Sequence, residues 1–115
     1  MNLSLNGYDR KSASFGYDGL VSPDFTVEMS GNMKVKTCSD GGRFCGVCEK
    51  VNGELAGIML SGYAVVKYSG DTAPTVGYCK LCGDGKGGVK ADSKSGFDYL
   101  VTDIDTNKKT IGIIL

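Results

Sequence analysis

Polar and apolar positions alternate in short runs along most of the chain. The first clean run is Phe25-Thr26-Val27-Glu28-Met29. A period of two puts successive side chains on opposite faces of a strand. Met33-Lys34-Val35-Lys36 alternates in the same way and leads into Thr37-Cys38. Further runs fall at 44–51, 55–60, 63–68, 76–82, 97–104 and 110–115. Turn signals separate them. Asn52-Gly53 is a two-residue hairpin signal, 69–74 reads as a loop, and 83–88 is rich in glycine. About eight or nine strands are expected, and the predicted class is all-β, a small antiparallel β-barrel or β-sandwich. No internal repeat is expected.

The two ends of the chain depart from this pattern. Residues 1–24 are polar and carry Gly7, Gly16, Gly19 and Pro23. They are predicted to form an extended N-terminal arm, ordered against a partner, ahead of a β-domain spanning 25–115. Thr110-Ile111-Gly112-Ile113-Ile114-Leu115 is nearly all apolar. On a free sheet edge such a strand invites aggregation, so it is expected to be central in a sheet or covered by another subunit.

Composition narrows the class. The chain has 115 residues, 18 of them glycine, and the spread of those glycines leaves almost no room for a long helix. Thirteen basic residues balance thirteen acidic ones, so neither nucleic acid nor an anionic membrane is an expected partner. Histidine is absent, which removes Ser-His-Asp and Cys-His catalysis. With no nucleophile–base pair to name, an enzyme is not expected. Residues 1–14 contain no apolar run, so no secretory signal is read there.

Four of the five cysteines form the one loud chemical signal: Cys45-Gly46-Val47-Cys48 and Cys79-Lys80-Leu81-Cys82. Two CxxC units suit a zinc-ribbon-like or rubredoxin-like site if all four thiolates converge. Both units, however, lie in segments that read as strands, where residues i and i+3 point to opposite faces. Packed or free thiols are therefore the preferred reading, no cofactor is expected, and zinc at Cys45, Cys48, Cys79 and Cys82 is the alternative. Gly83-Asp84-Gly85-Lys86-Gly87-Gly88 matches GxGxxG. It opens no helical pattern, so a turn is expected rather than a dinucleotide site. Asp98, Asp103 and Asp105 are read as solvated strand carboxylates.

The ordered series of turns and strands resembles the small head-decoration (capsid cement) proteins of tailed phages and prophages of Gram-positive bacteria. The carrying residues are Phe44-Cys45-Gly46-Val47, then 57–63 (GIMLSGY), 68–78 (YSGDTAPTVGY) and 84–90 (DGKGGVK). Tyr99-Leu100-Val101-Thr102-Asp103 and Lys109-Thr110-Ile111-Gly112 follow, and Tyr8-Asp9-Arg10-Lys11 with Ser14-Phe15 fits an N-terminal segment of such proteins. The CxxC units depart from that pattern. The resemblance implies a structural virion protein on the capsid exterior, made in the bacterial host cytoplasm, which stabilises an icosahedral head. Its partners would be the major capsid protein and itself, as a homotrimer. Tyr8, Arg10, Lys11, Phe15 and Tyr17 are the expected capsid contacts. Another virion β-domain, such as a tail component, is the alternative of the same chemistry.

Overall fold

The computed structural model describes residues 11–115. They form β1 (Lys11–Tyr17), β2 (Thr26–Gly31), β3 (Lys34–Thr37), β4 (Gly46–Asn52) and β5 (Leu55–Ser61). After Gly62 come β6 (Tyr63–Ser69), β7 (Gly77–Gly83), β8 (Val89–Ala91), β9 (Phe97–Asp105) and β10 (Thr110–Ile114). The first five strands close one barrel and the last five close another. The all-β barrel class expected from the alternation is present, in two copies.

Both barrels have the same topology. The order β1-β3-β2-β4-β5 becomes β6-β8-β7-β9-β10 when each strand is advanced by five. In each barrel one pair is parallel, β1 with β3 and β6 with β8, and the other pairs are antiparallel. The expectation of a chain without an internal repeat is therefore corrected, and each otherwise antiparallel barrel carries one parallel pair. The registers match around the barrels except between β2 and β4, whose counterpart pair β7 and β9 is shifted by two residues. Ala13 faces Ile58 as Ala64 faces Ile113, and Phe15 faces Ala56 as Val66 faces Ile111. Tyr17 lies beside Val35 as Tyr68 lies beside Val89. A β-bulge recurs at the same point, between Cys48 and Lys50 in β4 and between Val101 and Asp103 in β9. Bulges are inherited features of a fold rather than defects.

The sequence carries the trace of this duplication. Ala13, Tyr17, Gly19 and Pro23 correspond to Ala64, Tyr68, Gly70 and Pro74, and those two prolines are the only ones in the chain. Gly19 and Gly70 both take positive φ, at 71° and 96°, a conformation that glycine adopts without strain. Val35-Lys36, Ser39 and Gly42 correspond to Val89-Lys90, Ser93 and Gly96, and Gly57-Ile58 with Leu60 corresponds to Gly112-Ile113 with Leu115.

Residues 11–24 belong to the first barrel rather than to an extended arm. β1 pairs along β5, and Val21 is buried. The physical reason is the period-two series Ala13, Phe15, Tyr17, whose serine and glycine partners disguise it. Residues 1–10 lie outside the described residues. β10 is flanked by β6 and β9 with Ile111 and Ile113 buried, so the apolar C-terminal strand is central, as expected.

Each barrel has its own core, but the cores are unequal. Val21, Val27, Val35, Cys48, Ala56 and Ile58 fill the first, with Phe15, Tyr17 and Val51 packed against them. The second is built on Ala64, Val66, Leu81, Val89, Val101, Ile111 and Ile113, and it also takes in Cys38, Phe44, Val47 and Met59 from the first half of the chain. Those four residues weld the two barrels together. A barrel of this size buries little surface alone, and the shared cluster offsets that deficit.

Candidate functional site

The most elaborate feature of the molecule is the junction between the barrels. The segment that enters β2 lies across the mouth of the second barrel. Thr26, fully buried, donates its backbone N–H to the Gly87 carbonyl at 2.9 Å and its hydroxyl to the Gly88 carbonyl at 2.9 Å. The Phe25 ring rests on the α-carbon of Gly87: a methyl group placed there would lie 2.6 Å from the ring. Gly87 also has φ of 94°. Both the close approach and the backbone conformation thus require glycine.

A second contact comes from the loop between β3 and β4. Gly41 N–H bonds to the Gly83 carbonyl, and Gly83 N–H to the Gly42 carbonyl. Phe44 stacks on Tyr99 with centroids 4.3 Å apart, and the Tyr99 hydroxyl donates to the Phe44 carbonyl at 2.9 Å. The Arg43 guanidinium sits over the Phe97 ring, and Lys90 pairs with Asp40.

The glycine-rich stretch 83–88 is the turn between β7 and β8, as expected. The Asp84 carboxylate accepts the N–H groups of Lys86 and Gly88, and a hydroxyl from Ser69. It leads into a strand, not a helix, so it has no phosphate-binding terminus. The three aspartates are spread out. Asp98 pairs with Lys80, Asp103 accepts the Tyr63 hydroxyl at 3.2 Å, and Asp105 caps the turn before β10 through the N–H groups of Asn107 and Lys108.

The structure does not bring the two CxxC units together. Cys48 belongs to the core of the first barrel, and the buried Cys82 thiol points to the Lys90 carbonyl of β8. Cys45 is exposed at the start of β4, and Cys79 packs against the second core. The units sit on strands that are not counterparts, β4 in one barrel and β7 in the other. Among the described residues no group of three or more cysteines, aspartates or glutamates is placed to hold a metal ion. Cys38 is buried against the junction. Burial pushes its thiol pKa up to about 12, aided by its hydrogen bond to Glu28. Burial also raises Cys48 and Cys82. Burial raises Cys45 as well, although its side chain reaches solvent. A disulfide-exchange reagent applied to the folded, metal-free protein should therefore modify only the accessible Cys45 and Cys79. Cys38, Cys48 and Cys82 should react only on unfolding. Rapid reaction of all five in the native state would contradict this burial pattern.

Of the expected capsid contacts, Tyr8 and Arg10 lie outside the described residues. Lys11 is exposed. Phe15 and Tyr17 are half-buried on the first core, and the Tyr17 hydroxyl donates to the Gly53 carbonyl at 2.8 Å. These two aromatics are therefore structural parts of the barrel wall.

Sequence reasoning missed the apolar side chains left exposed on the two barrels. Met29, Met33 and Leu55 are exposed on the first, and Val76, Tyr78 and Phe97 on the second. Comparison of the chain with protein-family models gives no match, and neither does a search of curated proteins.

Proposed function

We propose that this protein is a structural virion component, a decoration protein that binds the outside of an icosahedral phage head and stabilises it. The observation that carries the reading is the ordered turn-and-strand series in which the sequence resembles capsid cement proteins. It runs through β5, the Gly62 link, β6, the Pro74 loop and the β7–β8 turn. A compact part with two barrels and little net charge suits passive binding rather than catalysis. Many copies on a symmetric lattice gain avidity, so each contact with the major capsid protein can be weak. Self-association as a homotrimer belongs to the same proposal.

The test is co-sedimentation with expanded capsids. Deleting residues 1–20 would remove β1 and damage the first barrel, so the informative truncation is of residues 1–10, which leaves every described strand in place. The full chain should pellet with expanded shells, and the truncated chain should bind more weakly while keeping its β-sheet circular dichroism. No association with shells under any condition would overturn the proposal, and association with tails alone would move the protein to another part of the virion.

A further inference from the structure

The junction inside the chain joins a plug on the first barrel to a socket on the second. The plug is Pro23-Asp24-Phe25 with the loop 38–44, and the socket is the β7–β8 turn around Gly83 and Gly87. Duplication means that each barrel should carry both parts. The unused plug is Pro74-Thr75-Val76 with the loop before β9, and the unused socket is the β2–β3 turn of the first barrel.

Met29, Met33 and Val76, three of the exposed apolar residues, map onto these unused parts. By register from β3 and β8, Gly83 corresponds to Met29 and Gly87 to Met33. Met29 is 49 % exposed and Met33 is 64 % exposed. Met33 keeps a positive φ of 56°, as Gly87 does, although such a backbone is strained for methionine. On the plug side, Val76 lies two residues beyond Pro74 as Phe25 lies two beyond Pro23, and it is 66 % exposed. The volumes are complementary. Inside the chain a large plug residue meets a glycine, whereas in the unused pair a smaller plug residue would meet methionine.

The clefts tell the same story. In the second barrel a cleft of about 540 Å³ between Tyr68, Gly88 and Thr110 is walled by Pro23, Asp24 and Phe25. In the first barrel the matching cleft of about 490 Å³, between Gly16, Tyr17, Lys34, Gly53, Glu54 and Leu55, has no such wall. Were the barrels related by a two-fold axis, the second plug would already occupy the first socket. Both are exposed, so the internal junction is head-to-tail.

We propose that the chain associates with further copies of itself by repeating this junction, the Pro74–Tyr78 plug of one copy entering the Met33–Leu55 socket of the next. The contact continues an interface that the fold already uses once per chain. Heterologous contacts of this kind close into rings or extend as filaments, according to the rotation between copies. Shell binding is read by co-sedimentation, whereas this contact is read by the plug and socket substitutions on the protein alone, so the two proposals can fail independently.

Sedimentation velocity of the full chain over a wide concentration range tests it. The native chain should associate as concentration rises. Val76→Asp destroys only the plug and Met33→Asp only the socket, and each should weaken self-association about tenfold or more. Both positions are exposed, and far-UV circular dichroism checks that the fold is kept. An equimolar mixture of the two variants should form a dimer that grows no further, because one intact plug meets one intact socket. A native chain that stays monomeric at millimolar concentration overturns the proposal. So does association that survives both substitutions, or a mixture that yields no dimer.

Discussion

Ile113→Ala is expected to destabilise the protein by about 2–5 kcal/mol, the range for truncating a fully buried Leu, Ile or Met side chain. Ile113 is inaccessible to solvent and lies between Ala64 of β6 and Val101 of β9. It belongs to the cluster that also holds Cys38, Phe44, Val47 and Met59 from the first half. Small domains have roughly 5–15 kcal/mol in all, so the loss is a large fraction. The counterpart substitution, Ile58→Ala, should cost a similar amount, since Ile58 is equally buried in the first core. Because the second core is completed by residues of the first half, the barrels should unfold as one unit. Denaturant titration of both variants should show a single transition displaced to lower concentration with the slope retained. Two separated transitions, each sensitive to one variant only, would contradict the shared core.

Gly87→Ala carries the other large effect. The positive φ opposes a side chain by about 1–2 kcal/mol. The new methyl would also meet the Phe25 ring at 2.6 Å, and overpacking of that kind adds roughly 1–3 kcal/mol. A total loss of about 2–5 kcal/mol follows. The two contributions separate in a double-mutant cycle. With Phe25→Ala already present, Gly87→Ala should lose the steric part and keep the backbone part. A coupling of about 1 kcal/mol or more between the positions is therefore expected. Additive effects would mean that the ring does not rest on the glycine. The first barrel makes the comparison naturally, since Met33 stands at the matching position and no phenylalanine plug covers it.

Much of the fold was legible because β2–β7, β9 and β10 bury one face. Their apolar residues recur at every second position, and Asn52-Gly53 and the 83–88 glycines mark the turns between them. β1 was not legible, because Ala13 is small and serine and glycine separate Ala13, Phe15 and Tyr17. β8 has only three residues, too few for a period. The duplication was hidden for a different reason. The two halves retain positions that fix the backbone, such as Gly19 with Gly70, Pro23 with Pro74 and Gly57 with Gly112. Their core side chains have drifted, from Phe15 to Val66 and from Ala56 to Ile111. Those exchanges preserve apolar character but erase a visible repeat. The CxxC spacing is identical in both units, yet one begins β4 and the other lies within β7, so symmetry gives them no common centre.

The exposed surface was the least legible part. Met29, Met33 and Val76 read as ordinary strand or turn residues until the registers show which buried junction residues they correspond to. A hydrophobic residue in a sequence does not announce whether it faces a core, a neighbouring barrel or solvent.

The central claim is that the chain is a tandem of two equivalent barrels joined plug-to-socket. It is tested most directly by nuclear Overhauser contacts in the folded full-length protein. Contacts are expected between the Phe25 ring protons and the α-protons of Gly87. Matched contacts are expected across both parallel pairs as well, Tyr17 with Val35 and Tyr68 with Val89. Absence of the Phe25–Gly87 contact, or a parallel pair found in only one half of the chain, would contradict it.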